Sequence, residues 1–514
     1  MRKTRAATSR RINSPNDGVN MPKPIKAASF MRILLVGTLV FGLAALLVAS
    51  YVLEKIGVPP RVLAPYIEKR TSGHNPTIVG AGSLVAGIMR FNDRGEAFVP
   101  QRQSFSLGAQ PLPVPQVSPA VAIAEAPITL VASPAEAMAA FARAEPGDAI
   151  TFLPGVYRFS GSNLSIIRPG TALRPIVVRA ARPETVTLEF DLVEGFKVAA
   201  PYWQFENLRI VGVCASHGSC EHAFHIVGKG NHFVARNNTI TDFNSHFKIN
   251  AESNVTPDDG LIEGNTLTNS SVRKTDNPVN VIDIVVASNW VIRKNVITDF
   301  FKGDGNRTSY GGYAKGGGDH NLFENNLVIC EYRIHNPGSI SVGLSLGGGG
   351  TAAEYCRDKR CVVEQQNSTI RGNLIASCSD DGIYLNKSAA SKIIHNTLID
   401  TGGISVRYPS SSADVEGNLV DGKIRQRDGA VLRENDNRDT SITRLFLGSH
   451  PVRALFAGAE HFDYAAIKVP LRETPTSEPP SDLCPAIVES TDHARNSAAL
   501  PYGAFHDFGR CLRK

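Results

Sequence analysis

One recurring phrase constrains this chain more than any other feature: an aliphatic residue, a charge, a small or polar residue, Asn, then two aliphatic or Thr residues. Its copies read Val234-Ala235-Arg236-Asn237-Asn238-Thr239-Ile240, then Leu261 to Leu267, Val291 to Ile297, Leu322 to Val328, Thr369 to Ile375, Ile393 to Leu398 and Asp414 to Val420. The key residues Asn238, Asn265, Asn295, Asn326, Asn373, Asn396 and Asn418 are separated by 27, 30, 31, 47, 23 and 22 residues. A shortest period of 22 to 23 residues, lengthened elsewhere by insertions, marks stacked supersecondary units. The segments are short β-branched runs punctuated by Gly, Asn and Asp, and so short a turn leaves no room for a helix. The unit is therefore one coil of an all-β solenoid, most simply a right-handed parallel β-helix.

Stacking sets equivalent residues on neighbouring coils about 4.8 Å apart. The Asn residues are then expected one above another at a corner, where Asn tolerates left-handed backbone and bonds the next Asn. The residue two before each Asn tests this register, because stacked like charges repel. It reads Arg236, Glu263, Arg293, Glu324, Arg371, Ile394, Glu416, with signs alternating over the first five.

A second strand recurs beyond each Asn: Phe247-Lys248-Ile249, Ile282-Asp283-Ile284, Ala314-Lys315-Gly316, Leu344-Ser345-Leu346, Ile383-Tyr384-Leu385, Ile404-Ser405-Val406 and Ile424-Arg425-Gln426. Mostly aliphatic flanks point in and the centres point out. The centres Lys248, Asp283, Lys315, Ser345, Tyr384, Ser405 and Arg425 are expected to form one exposed column suited to a long polar ligand. Insertions at Asn269 to Val279, Phe301 to Gly312 and Glu331 to Ser339 fall between the Asn corner and this column. Long loops gathered on one face of a repeat protein mark a binding face.

At 514 residues, 42% of them hydrophobic, the chain can bury a large core, and one solenoid domain over 128–430 accounts for most of it. Coils and a cap are expected over 431–514. The net charge of +6 is concentrated in residues 1–32, where eight Lys and Arg face one acid, Asp17. A near-neutral remainder argues against a nucleic-acid partner. Ile33 to Leu53 is 21 uncharged, mostly apolar residues, long enough to span a bilayer. Basic residues before it place the N-terminus in the cytoplasm and the rest outside. A cleaved signal peptide is the alternative, with Leu47-Val48-Ala49 as a weak cleavage site. Residues 54–127 read as a stalk, with a short hairpin within Thr77 to Val99 and an extended linker over Gln101 to Pro127. From the N-cap Ser133, Pro134 to Ala144 reads as a helix covering the open end of the solenoid.

Eight cysteines on the exported side suit disulfides. Cys214 with Cys220, Cys356 with Cys361, Cys330 with Cys378 and Cys484 with Cys511 are the pairings the spacing suggests, and no pair has metal-site spacing.

The run Pro146-Gly147-Asp148-Ala149-Ile150-Thr151-Phe152-Leu153-Pro154-Gly155-Val156-Tyr157 resembles the opening segment of pectate-lyase-like β-helix proteins. Gly170-Thr171-Ala172-Leu173-Arg174-Pro175-Ile176-Val177-Val178-Arg179-Ala180 resembles, more narrowly, the chondroitinase B and alginate lyase type of polysaccharide lyase. Leu500 to Phe505 is similar to the closing segment of many β-helix proteins. The resemblance implies β-elimination on a uronic-acid polymer: a Lys takes the proton beside the carboxylate, an Arg on the next coil assists, and Ca²⁺ often neutralises the carboxylate. Where that family places its Lys, this chain has Ala287 or Ser288; where it places Arg-His, this chain has Lys315-Gly316.

Lys315, Lys248 and Asp283 are therefore the candidate catalytic residues, on consecutive coils with the carboxylate between two cations. A surface ion-pair ladder is the competing reading. Ser345, Tyr384, Arg407 and Arg425 are the candidate substrate-binding residues, and no metal ligand set is assigned. Asp258-Asp259-Gly260 and Asp380-Asp381-Gly382 read as turns before strands, and His222, His225, His232 and His246 as solvated or corner residues. Two functions fit: an enzyme on an acidic polysaccharide, a lyase ahead of an epimerase or hydrolase, or a non-catalytic carbohydrate-binding or assembly protein of an export system. Both place the β-helix in the periplasm or extracellular space, anchored by one helix.

Overall fold

The computed structural model describes residues 27–94, 105, 107–111, 127–348, 350–468, 470, 472 and 502–504. The chain divides into two units, Met1–Lys55 and Ile56–Lys514. The first contributes helix α1 (Ala27–Ile56), whose segment Leu35–Ile56 is long and apolar enough to cross a membrane, with none of it buried.

The second unit is a right-handed parallel β-helix. Among the described residues three parallel sheets run its length, of 12, 11 and 10 strands. Sheet A extends from Ile128–Val131 to Val431–Asn435, sheet B from Gly155–Ser160 to Arg438–Asp439 and sheet C from Leu164–Ile166 to Lys423–Arg427. The recurring phrase spans two of them. Val234–Arg236 belongs to sheet A and Thr239–Thr241 to sheet B, with the chain bending between them at Asn237-Asn238.

That bend explains the invariant Asn and corrects one expectation about it. The left-handed residue is the one before: Asn237, Gly264, Lys294, Asn325, Gly372, His395 and Gly417 all have positive φ. The key Asn is fully buried instead, and its side chain does the stacking. Each Nδ2 donates to the next Oδ1 at 2.9–3.0 Å, from Asn238 through Asn418 to an eighth rung, Asn437. The same Oδ1 also accepts the preceding rung's backbone N–H, so the corner's polar groups are satisfied without water. The charges stack in the expected register, Arg236 opposite Glu263, then Arg293, Glu324 and Arg371. Glu263 lies 2.7 Å from Arg293 and Glu324 2.7 Å from Arg371.

Inside, one core follows the axis, with Phe196, Phe224 and Phe247 stacked on successive coils at 5.1 and 5.3 Å. A second apolar cluster covers the outer face of sheet B. Val296, Leu327, Ile329 and Leu374 point away from the axis and pack under Val452, Phe462 and Tyr464, with Phe105, Leu107 and Ala504 beside them. Described residues after 440 thus return along sheet B, among them the short helix Ile442–Phe446 and a small antiparallel pair.

The capping helix forms at Pro134–Arg143, with Ser133 accepting from the backbone N–H of Glu136. Cys214–Cys220, Cys330–Cys378 and Cys356–Cys361 are paired; Cys484 and Cys511 lie outside the described residues. The hairpin expected within Thr77 to Val99 is not there. Helices α2 (Pro60–Thr71) and α3 (Pro76–Arg94) occupy that part of the chain instead. Gly82 and Ala86 recur four residues apart on α3 and let α2 approach closely, a helical period that alternation within a strand cannot supply.

Candidate functional site

Strand pairing on sheet C places Lys197, His225, Lys248, Asp283, Tyr313, Ser345, Tyr384, Ser405 and Arg425 in one row on its outer face. Two features of the expected column are corrected. Lys315 is not in the row: it pairs with Val285, two residues further along, and Tyr313 stands opposite Asp283. The cause is Gly312, which faces the core where other coils carry Ile282 or Leu344. A Cβ there would lie 3.0 Å from Phe323, which fills the space. Because strand side chains alternate, Lys315 still emerges on the same side as Tyr313.

Nor is the row exposed. Asp283, Ser345, Ser405 and Arg425 are buried, and Lys248, Lys315 and Tyr384 are half-buried. Ser345 Oγ lies 2.7 and 2.9 Å from the carbonyls of Gly347 and Tyr384, and Arg425 pairs with Asp381. Both are committed to the protein. Arg407 reaches Asp428 and stacks 4.6 Å over the Tyr408 ring.

The centre of the row is a compact polar group. Lys248 Nζ lies 2.8 Å from Asp283 Oδ2, and Asn280 Nδ2 lies 3.2 Å from the Tyr313 hydroxyl. Asp283 Oδ1 is buried without a hydrogen-bond partner. Lys315 Nζ sits 5.0 Å from the centre of the Tyr313 ring, and its amine has no ion-pair or hydrogen-bond partner among the described residues. Burial pulls Lys315 below the ordinary lysine value and Lys248 adds to this, against Asp283. Burial opposes the charge on Asp283, yet Lys248 and Lys315 outweigh it and keep the carboxyl below its usual range. Burial and the adjoining Asp283 hold the Tyr313 phenol protonated, well above 10.0.

Loops wall this group on both sides. The three insertions lie between sheets B and C, at the positions the sequence indicates. Opposite them the 347–364 loop, tied by Cys356–Cys361, brings Gly348 against the Lys315 side chain. Its Arg357 anchors to Asp258 at 2.8 Å and to Ser288 at 2.6 Å.

Sequence reasoning missed the polar groups at either end of the row. Upstream, His225 lies 2.7 Å from both Glu194 and Asn250 Oδ1, and its contact holds the Glu194 carboxyl down at about 2. A depression of 320 Å³ opens beside Glu194, lined also by Asn163 and Ser219. The neighbouring His246 is buried and His222 half-buried rather than solvated, and burial lowers each to about 4. Downstream, Asp381 is buried on Arg425, and Asp380 beside it is pushed up by burial and by the Asp381 charge. The Asp-Asp-Gly before a strand was the available signal.

A separate cluster, Asp400, Asp421 and His450, brings three ligand atoms within 4.8 Å of one another. Arg453 and Arg61 both reach Asp400, and His450 Nδ1 lies 2.8 Å from Asp421. Three cationic partners already answer its carboxylates, so the group reads as a structural latch.

Residues 353–444 match the family described as periplasmic copper-binding protein (NosD). No curated protein matches the chain in sequence. Among solved structures it is similar to a pectate lyase, at 16% identity and TM-score 0.37 over 59% of this chain and 72% of that one. It is similar also to an alginate lyase from Paenibacillus sp. str. FPU-7, at 16% identity and TM-score 0.32 over 60% and 99%. A PL6 family polysaccharide lyase from Pseudopedobacter saltans aligns at 14% identity and TM-score 0.33 over 61% and 93%.

Proposed function

We propose that this is a membrane-anchored, extracytoplasmic β-helix protein that binds an acidic, uronic-acid polysaccharide along sheet C and cleaves it by β-elimination at Lys315. The observation that carries this reading is the Lys315 amine: unpaired among the described residues, half-buried between two loop walls, and lowered toward its neutral form. A neutral amine accepts the proton from the carbon beside the uronate carboxylate. Those C–H electrons form the new carbon–carbon double bond as the glycosidic C–O bond breaks, and the leaving oxygen needs a proton. In this reading Tyr313, kept protonated next to Lys315, gives it. Lys248 and the newly formed Lys315 ammonium offset the charge growing beside the carboxylate. The row spans eight coil steps from Lys197 to Arg425, roughly 38 Å, which suits a polymer better than a small molecule.

Neither implied metal fits the residues present. Ca²⁺ takes about six to eight oxygen ligands, whereas this group offers one carboxylate, Asp283, between two lysines. Copper sites use imidazole and soft sulfur donors. Residues 353–444 hold a single His, His395, no Met, and three cysteines that are all in disulfides. No step is assigned to either ion.

The anchor reading rests on Leu35–Ile56 and the basic residues before it, and the three disulfides suit an oxidising compartment. A non-catalytic binder is the second reading, favoured by Asp283, which ties up Lys248 and, among the described residues, leaves one free cation in the group. Incubating the protein with alginate, pectate and chondroitin while following unsaturated-uronate absorbance separates the two. Absorbance on any polymer supports elimination; none on all three, with binding retained, replaces the lyase with the binder.

A further inference from the structure

Helices α2 and α3 form an antiparallel pair held to the solenoid along one face. Arg61 Nη2 lies 2.6 Å from Asp93 and its Nη1 reaches the Asp400 carbonyl, Arg90 donates to the carbonyl of Pro337, and Asn92 Nδ2 donates to the carbonyl of Phe446. On α3 the buried positions are Gly82, Ala86 and Asp93. The opposite face has no partner among the described residues: Ile78, Leu84, Val85, Ile88 and Phe91 are between 42% and 69% exposed. No charged side chain occurs between Arg70 and Arg90.

Five large apolar side chains on one uncharged helix face exceed the scattered exposure normal for a surface. The apolar run Pro76–Met89 is 14 residues, about 21 Å of helix, too short to span a core of about 30 Å. An unburied apolar helix of that length lies in an interface. The chain indicates which interface. Only Gly57-Val58-Pro59 separates the end of α1 from the start of α2, so the pair follows the proposed membrane span directly. The C-terminal half of α2 carries the half-exposed Tyr66, with Arg70 5.2 Å over its ring, and Lys69, residue types that favour the headgroup layer.

We infer that the exposed face of α3 inserts into the outer leaflet of the lipid bilayer, making α2–α3 a second membrane contact; the inference rests on the reading of α1 as the anchor. A second contact fixes the orientation of the solenoid where a single helix leaves it free to swivel. Because Arg90 bonds the loop at Pro337, the B–C wall of the sheet C cleft is joined to this membrane-bound element. A polymer crossing the membrane nearby then meets the cleft from a constant direction.

Tryptophan depth probing tests this on the full chain. The two native tryptophans, Trp203 and Trp290, are fully buried in the coil core and out of reach of lipid. Phe91→Trp, and independently Leu84→Trp, are reconstituted in vesicles with or without lipid brominated near the headgroup. Each variant should lose emission by about twofold or more with brominated lipid, and resist aqueous acrylamide. Emission unaffected by bromine overturns the inference: acrylamide quenching then means the face is in water, and resistance to both quenchers means a second copy or another protein covers it. Flotation with vesicles after alkaline wash reads the anchor separately. A chain that floats with unquenched tryptophans leaves the anchor standing and removes the α3 contact; a chain that does not float removes both.

Discussion

At the scale of single residues the protonation of Lys315 makes the cleft testable. Burial lowers this amine and Asp283 works the other way, so the two can be separated by substitution. A base acts in its neutral form, so turnover should rise with pH through the lowered lysine value and level off below 10.5, the ordinary one. Asp283→Asn removes the charge that holds the ammonium, and the rising limb should move to lower pH. A limb that stays or moves upward assigns the base to another group. Lys315→Ala should lower kcat by about 100- to 10,000-fold, the usual range for loss of a general base. Unchanged kcat with a normal thermal transition clears Lys315 of the chemistry.

At the scale of elements the coil corner is the strongest local determinant, and its cost of failure can be stated. Asn295 has no exposure, and its side chain serves Asn265, Ile262 and Asn326. Asn295→Ala strands several buried polar groups, each costing about 1–3 kcal/mol, so a drop of about 3 kcal/mol in unfolding free energy is expected, read from the urea midpoint. A drop of a few tenths would mean water replaces the amide. This corner was also the most legible part of the sequence, because a buried amide bonding to its copy must recur at every coil. Asn437 escaped because Arg433, Glu434 and Asn435 precede it in place of aliphatics. The paired aliphatics after Asn295, Asn326, Asn373 and Asn418 carried information that was not read: one faces the axis, as Ile297 does, and the other outward under the returning chain, as Val296 does. Two consecutive apolar residues on a strand signal two buried faces. The candidate site was less legible. Alternation gave the row, but Gly312 broke the aliphatic pattern that fixes register and displaced Lys315 by one pleat. Ser345 is taken up by the carbonyls of Gly347 and of Tyr384 on the next coil, and Arg425 by Asp381, contacts that alternation along one strand does not encode.

At the scale of the whole molecule the stacked coils share one core, so buried ionisable groups distribute their cost over the entire fold. His246 is fully buried, with Nε2 3.0 Å from the Thr268 carbonyl and Nδ1 unpartnered, and burial lowers it to about 4 from 6.5. The folded value lies below the unfolded one, so as pH falls the unfolded chain takes up the proton first. Stability from this residue is intact above 6.5 and is lost progressively as pH falls toward 4, by about 3 kcal/mol. Glu206 and Asp381 act in the opposite sense: burial raises their folded values, so acidification favours the fold through them. The total slope is therefore a difference of terms, and a comparison between variants isolates one. His246→Gln keeps a donor for the Thr268 carbonyl and cannot titrate. Between pH 7 and 4.5 the variant should lose less stability than the native protein, whatever its stability at neutral pH, with calorimetric transitions giving the comparison. Parallel losses in the two proteins would show that His246 takes up its proton as readily folded as unfolded over that range, and that the acid sensitivity of the solenoid lies in other groups.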